Sequence, residues 1–343
     1  MSRPTIRDLA EAAEVSVATV NRVIGGAGGV REATMARVLE AARQIGFYGL
    51  GALQHRVEQA RRRHRLGVII QNPHHPFSEL LERHLIAAAE QVDAEDEIRL
   101  RLEHLDDLSP ETVAARMLAL AEDSDALAVL AAEHPLVTDA IDQLAARGVP
   151  VIALISSLSA RSNVGYVGLD SWKVGRTAAW TFDHLCAVPG KLGILVGTHR
   201  YRCHDLYESG FRSYFREHTR PFTLLEPMST FESDAIAREL TERLLREHPD
   251  LQGLYVSGGG ISGVLAAVRA SGHAGRLVTV GHDLMDTTKA GLLDGSLTLV
   301  ISHAFEQIAR ETLTATLRAR QSGPAAGSQS VLVPFQLYTR ENI

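Results

Sequence analysis

Apolar positions in the first 48 residues recur at helical spacing in three short stretches. Thr5 is placed to cap IRDLAEAAE and Ser16 to cap VATVNRVI; after a break at Gly25 to Gly29, REATMARVLEAARQIG runs to Gly46. Leu9, Ala13, Val15, Val20, Val23, Val38, Leu39, Ala42 and Ile45 fall on the inward faces and close one small core. A turn at Glu14 to Ser16 separates the first two stretches, which is the spacing of a helix-turn-helix.

Residues 49–65, GLGALQHRVEQARRRHR, have no strong apolar face and read as a hinge or linker. From Leu66 onward, short apolar runs such as LGVII, ALAVLAA, VPVIALIS, KLGILVG, LQGLYVSG and LTLVISH alternate with amphipathic helices. Apolar runs without polar alternation, each followed by a helix, predict parallel strands covered on both faces. About ten such units exceed one comfortable open sheet, so the pattern predicts two doubly wound α/β lobes with a cleft between them. The expected division is an all-α head over 1–48, a hinge over 49–65 and a core over 66–343. Within the core, one lobe is expected over about 66–163 and 297–322, the other over about 164–296 and 323–343.

Composition sharpens this. The 343 residues, 45% hydrophobic and 22% charged, suit an ordinary globular chain of two or three domains. Two cysteines, Cys186 and Cys203, make no disulfide framework, no basic-then-apolar leader opens the chain, and no uncharged apolar run reaches membrane-spanning length; a cytoplasmic protein without membrane contact is expected. The net charge of −6 conceals an asymmetry: residues 1–65 hold 11 arginines against six acidic residues, a net +5, leaving −11 on the rest. A basic end on an acidic body points to a nucleic-acid-binding head.

A helix-turn-helix lays its second helix in the major groove with N-terminal side chains at base edges. In VSVATVNRV the outward candidates are Val17, Ala18, Asn21 and Arg22. Asn can pair with adenine, Arg with guanine, and the two apolar residues can pack on thymine methyls. Thr5, Ser16, Thr19 and Thr34 are placed for phosphates. The stretch PTIRDLAEAAEVSVATVNRVIGGAGGVREATMARVLEAARQIGFY, with its T-I-x-D-L-A-x-x-A-x-V-S-x-A-T-V-x-R-V spacing, resembles the head of the lactose/galactose-repressor family of bacterial transcription regulators. The resemblance extends over the body, which looks like that family's effector core, related to periplasmic sugar-binding proteins. It implies a homodimer or larger assembly on double-stranded operator DNA, controlled by a small metabolite in the cleft; no nucleophile constellation surrounds either cysteine and no general acid/base pair is forced by spacing, so neither catalysis nor a cofactor is expected. It places the family's minor-groove leucine on Arg56, with Leu53 and Val57 nearby, and puts Gly25 where the family has Asn.

Strand ends that would face the cleft nominate Asn72 and Phe77, His134, Ser156, Asp170, the segment His199 to Tyr207 with His204 and Tyr207, Ser257 to Gly260 with Gly258 and Gly259, Asp283 and His303. Asp170 and Asp283 match positions where the family places carboxylates that accept from ligand hydroxyls, which suits a sugar or polyol. Tyr207 stands where the family commonly has arginine, and SGGGISG replaces its Asn-Asp. Two other readings attach to these residues. Gly258 to Gly263 fits G-x-G-x-x-G with Asp283 twenty residues beyond, the dinucleotide fingerprint of an NAD-dependent oxidoreductase. The group His199, Cys203 and His204 invites a metal, but it lacks a fourth ligand and the usual spacing, so no metal is expected. The outer helix FSELLERHLIAAAEQ is the expected dimer surface, and no leucine heptads mark a tetramerisation tail.

Overall fold

The computed structural model describes residues 4–25, 30, 32–51, 53, 62–71, 75–92, 96–322 and 329–343. Two compact units emerge, Met1–Arg65 with Ala89–Arg99, and Leu66–Ala88 with Leu100–Ile343. In the first, α1 (Ile6–Ala12), α2 (Val17–Gly25) and α3 (Glu32–Gln44) surround a core of Leu9, Val20, Val23, Val38, Ala42 and Phe47. Thr5 caps α1 in a reciprocal box: the Asp8 N–H donates to Thr5 Oγ1 at 3.3 Å and the Thr5 N–H to Asp8 Oδ2 at 2.7 Å. Ser16 Oγ accepts the Thr19 N–H at 3.1 Å. Glu14, at φ +53°, makes the tight reversal between α1 and α2.

The core holds two sheets. The first is built from β1 (Arg62–Gln71), β2 (Asp96–Leu105), β3 (Ala126–Val129), β4 (Val151–Leu154), β5 (Gly165–Gly168) and β12 (Ser330–Leu332), in the order β12-β5-β4-β3-β1-β2. The second takes β6 (Lys191–Val196), β7 (Thr223–Leu224), β8 (Met228–Ser229), β9 (Leu251–Ser257), β10 (Val278–His282), β11 (Leu299–Ser302) and β13 (Gln336–Tyr338), in the order β13-β11-β10-β9-β6-β7 with β8 also on β6. β3 and β4 are buried at every position, as the unbroken apolar runs predict, and pair in parallel from Leu127 against Val151. The helices that matter below are α4 (Pro76–Glu90), α5 (Pro110–Leu120), α6 (Pro135–Ala146), α7 (Ser171–Leu185), α8 (Arg202–Glu217), α9 (Asp234–Glu247), α10 (Ile261–Ala270), α11 (Asp286–Asp294) and α12 (Phe305–Ser322).

The chain crosses between sheets three times, after β5, after β11 and between β12 and β13. The lobe boundaries therefore differ from those expected: residues 165–168 and 330–332 pair in the first sheet, and 299–302 in the second. Strands buried on both faces look alike in sequence, so periodicity cannot say to which sheet each belongs. The run VLVPFQLY is two strands in two sheets, because Pro334 lacks the N–H that a continuous ladder needs. The antiparallel β13 pairs with β11.

Candidate functional site

On the head, Val17, Ala18, Asn21 and Arg22 are all exposed along one face of α2, while Val20 and Val23 turn inward. That face is what the helical period leaves once its apolar stripe is buried. Thr5 is exposed, and a surface groove brings Pro4, Thr5, Ile6 and Arg7 together with Val17 and Tyr48. Arg7 and Tyr48 join the candidate DNA surface in this way, unsuspected from sequence. Thr19 and Thr34 are half-buried, and Ser16 is exposed but engaged as a cap. Leu53, nominated for the minor groove, is instead fully buried in the head core, where the Leu53 N–H donates to the Gly49 carbonyl at 3.1 Å. Arg56 lies outside the described residues.

In the core, strand C-termini of both sheets converge on a cavity of about 110 Å³. A water occupies about 10–15 Å³ on such a measure, so the space suits several waters or one compact ligand. The first lobe supplies Gln71 at the end of β1, His75, Phe77 and Ser78 at the start of α4, Leu130 and Ile155. The second supplies Tyr201, which precedes α8, Cys203, His204 and Tyr207 from α8, Glu232, the Gly258–Gly259 turn, Ile261, His282, Asp283 and Met285. His303, after β11, completes the wall. The lobes are bridged directly. Tyr201 donates its hydroxyl to Gln71 Oε1, the Glu133 N–H reaches the Arg200 carbonyl at 3.0 Å, and the Cys203 N–H reaches Ser156 Oγ at 3.4 Å.

Asp283, at φ +60°, sets its carboxylate in the wall: Oδ1 accepts the His303 N–H at 2.9 Å and lies 2.8 Å from His303 Nδ1. Burial opposes its charge, yet the His303 ring and amide outweigh that and hold its pKa below the usual carboxylate range. His282 sits between Tyr207, stacked at 4.7 Å, and the Tyr255 hydroxyl at 3.0 Å from Nε2. Burial lowers its pKa to about 3 and also lowers that of His204, keeping both rings neutral near pH 7. Phe77 packs edge-on against His303 at 5.7 Å and Phe305 at 5.3 Å. Four buried polar atoms of this wall lack a hydrogen-bond partner among the described residues: Gln71 Nε2, Glu232 Oε1, His282 Nδ1 and His303 Nε2. Buried polar groups are normally satisfied, so such a concentration marks a place where a polar ligand completes the network.

Of the residues nominated from sequence, Phe77, His204, Tyr207, Gly258, Gly259, Asp283 and His303 come together here. His134 and Asp170 do not. His134 Nδ1 accepts the Leu136 N–H and caps α6, while Asp170 caps α7 through Lys173 and pairs with its ammonium at 3.0 Å. Ser156 serves the lobe bridge rather than the wall, and Asn72 lies outside the described residues. Gln71, His75, Glu232 and His282 are additions. Glu232 follows a strand of only two residues, too short for counting strand ends to find.

The glycine turn is already occupied. The Gly259 N–H donates to Glu232 Oε2 at 2.7 Å and the Gly263 N–H to Asp234 Oδ1 at 3.3 Å. An anionic pyrophosphate would meet carboxylates there instead of free amides, so the turn is not a dinucleotide cradle. His199 turns to Asp205 at 2.8 Å, and burial pushes the Cys203 thiol up to about 12. Among the described residues no cluster of three metal-ligating side chains forms, and no helix is long and apolar enough to cross a membrane.

Comparison with known proteins matches residues 66–323 to the periplasmic binding protein domain and residues 5–49 to the bacterial regulatory proteins of the lacI family. No curated protein matches the chain significantly. Solved structures with the same fold include an ABC transporter solute-binding protein from Agrobacterium vitis with bound D-fucose, at 17% identity and TM-score 0.72, covering 81% of this chain and 96% of that one. Another, from Burkholderia graminis C4D1M in complex with D-arabinose, is 19% identical with TM-score 0.72, covering 82% and 97%. A third, from Actinobacillus succinogenes 130z with bound D-allose, is 16% identical with TM-score 0.71, covering 81% and 98%.

Proposed function

The chain belongs to the periplasmic binding protein domain family and carries at its N-terminus the DNA-binding module of the lacI regulators, and from that premise we propose that a sugar or polyol in the core cleft controls its affinity for operator DNA. The observation that carries this is the cleft itself: a compact space between two bridged lobes, walled by aromatic rings, two carboxyl groups and four unpartnered polar atoms. Aromatic faces cover the apolar side of a sugar ring, and carboxylates accept from its hydroxyls. The sugars bound by the three solute-binding proteins support the same class.

In this reading Arg22 and Asn21 read base edges, Val17 and Ala18 pack beside them, and Thr5, Ser16, Thr19 and Thr34 hold phosphates. Arg56, outside the described residues, stays the candidate for the minor groove by its charge alone. The regulator acts in the cytoplasm as a homodimer, with α4 as the dimer surface; Ile86 on that helix is 40% exposed. Neither catalysis nor a cofactor enters. The effector switches the heads only through a difference in its affinity for two lobe arrangements.

The test is to select operator sequences with the full-length protein, then titrate a panel of sugars and polyols while following operator binding by fluorescence anisotropy and core melting by thermal shift. One sugar should both raise the melting temperature and change operator affinity. Core binding by no sugar or polyol overturns the effector class, and failure to select any sequence overturns the operator reading.

A further inference from the structure

The charge of the cleft wall is unbalanced. Among its described residues are two carboxyl groups and four histidines, but no lysine or arginine. Asp283 is answered by His303 through ring and backbone. Glu232 has no such answer. Its Oε2 accepts the Gly259 N–H at 2.7 Å, while Oε1 is buried without a hydrogen-bond partner. Among the described residues, the nearest group able to carry positive charge is His204, whose Nδ1 is 3.9 Å away and stands 3.0 Å from the Thr198 carbonyl. Burial keeps that ring neutral.

The local backbone is built around this carboxylate. Phe231 and Glu232 sit at φ +52° and +60°, a left-handed pair that non-glycine residues seldom adopt. The turn sends the Glu232 side chain toward Gly197 and Gly259, where a Cβ at either glycine would strike the carboxylate. Two glycines thus leave room for one acid, and the strain is of the kind that clusters at ligand clamps. Gln71 Nε2, His282 Nδ1 and His303 Nε2 stand unpartnered in the same wall, each on a residue at least nine-tenths buried. These three can serve ligand hydroxyls. A hydroxyl would also satisfy Glu232 Oε1, but only a protonated nitrogen both donates to it and balances its charge.

Building on the sugar reading, we infer that Glu232 determines specificity by selecting a ligand with a protonated amine among its hydroxyls, an amino sugar or amino polyol, over the neutral parent and against phosphorylated relatives. The ammonium sits on Oε1, the hydroxyls on the remaining unpartnered atoms and on Asp283.

Isothermal titration of the full-length protein with glucosamine, galactosamine and mannosamine, their neutral parents, and glucose 6-phosphate tests this, alongside the variants Glu232→Gln and Glu232→Asp. Glutamine keeps an acceptor for the Gly259 N–H, removes the charge and turns the other oxygen into an amide donor. At least one amino sugar should bind tenfold or more tightly than its parent; Glu232→Gln should abolish that preference, so that amino sugar and parent bind alike, and Glu232→Asp should retain it. Equal or tighter binding of the neutral parent or the phosphate, or a preference that survives Glu232→Gln, overturns the inference and leaves the sugar reading standing. Binding by none of the seven overturns the amino-sugar inference, while the sugar reading then stands or falls on the wider panel of sugars and polyols. Unchanged melting temperature and operator binding of Glu232→Gln show that the variant is folded.

Discussion

Asp283 is the residue on which ligand chemistry and core stability meet. Its side chain is engaged through one oxygen with His303, and its backbone is in the left-handed region at φ +60°. Asparagine tolerates that region better than most residues, so Asp283→Asn tests the charge without disturbing the turn. The His303 N–H keeps an acceptor but loses a charge-assisted one, at a cost of about 1–3 kcal/mol in core stability. We expect effector affinity to fall tenfold or more, read by isothermal titration, while operator binding without effector is unchanged. Unchanged effector affinity removes Asp283 from the ligand wall. Asp283 was legible from the sequence because it ends a strand. Asp170 was nominated by similar reasoning and by the same resemblance, yet it caps α7 beside Lys173. A carboxylate after a strand serves either purpose, and only the positions of neighbouring helix N–H groups decide between them.

Among the elements, α2 was the most legible, since its inward residues Val20 and Val23 fix its rotation and so fix which side chains face outward. Arg22 stands exposed on that outward face in the last turn, near Asn21. Replacing Arg22 with Ala should cost about 1–3 kcal/mol in operator affinity and relax the preference at one base pair, measured by anisotropy on an operator set with single substitutions. An equal loss on specific and non-specific duplexes makes it a phosphate contact instead. The segment after α3 was the least legible. Leu53 can be a groove wedge or a core residue by composition, and burial in the head core settles it for the structure described. The Glu232 turn was invisible for a related reason: β7 and β8 are two residues each, and left-handed glutamate has no sequence signature. Periodicity finds elements long enough to repeat, and functional turns are usually shorter than one period.

Over the whole molecule, the repeated strand-helix order made the two-lobed core legible, whereas the strands that cross between lobes were misassigned because crossing leaves no mark on hydrophobicity. Convergence of both sheets on one cleft has a cost that titration exposes. His282 and His204 are buried in the wall with pKa values lowered, His282 to about 3, while the unfolded chain carries histidines near 6.5. A depressed histidine pKa means that the unfolded state binds protons first as the solution is acidified. The folded core therefore holds its full stability from these groups above about pH 6.5 and loses it on acidification, for His282 as pH falls toward about 3 and by up to about 5 kcal/mol. Asp283, with its pKa lowered below 3.8, adds a loss of the same sign at still lower pH. The core melting transition, followed without effector from pH 7 to 4.5, should drop steadily. His282→Gln cannot be protonated; it lowers the starting stability by disturbing the Tyr255 contact but should flatten the slope. An equally steep slope in that variant would locate the acid sensitivity outside the cleft. The resulting demand is specific to this architecture: a ligand whose polar groups meet Gln71, Glu232, His282 and His303 together, accepting from Gln71 Nε2 and donating to Glu232 Oε1, binds only the folded, bridged core, and so should offset part of the acid loss in the same melting experiment.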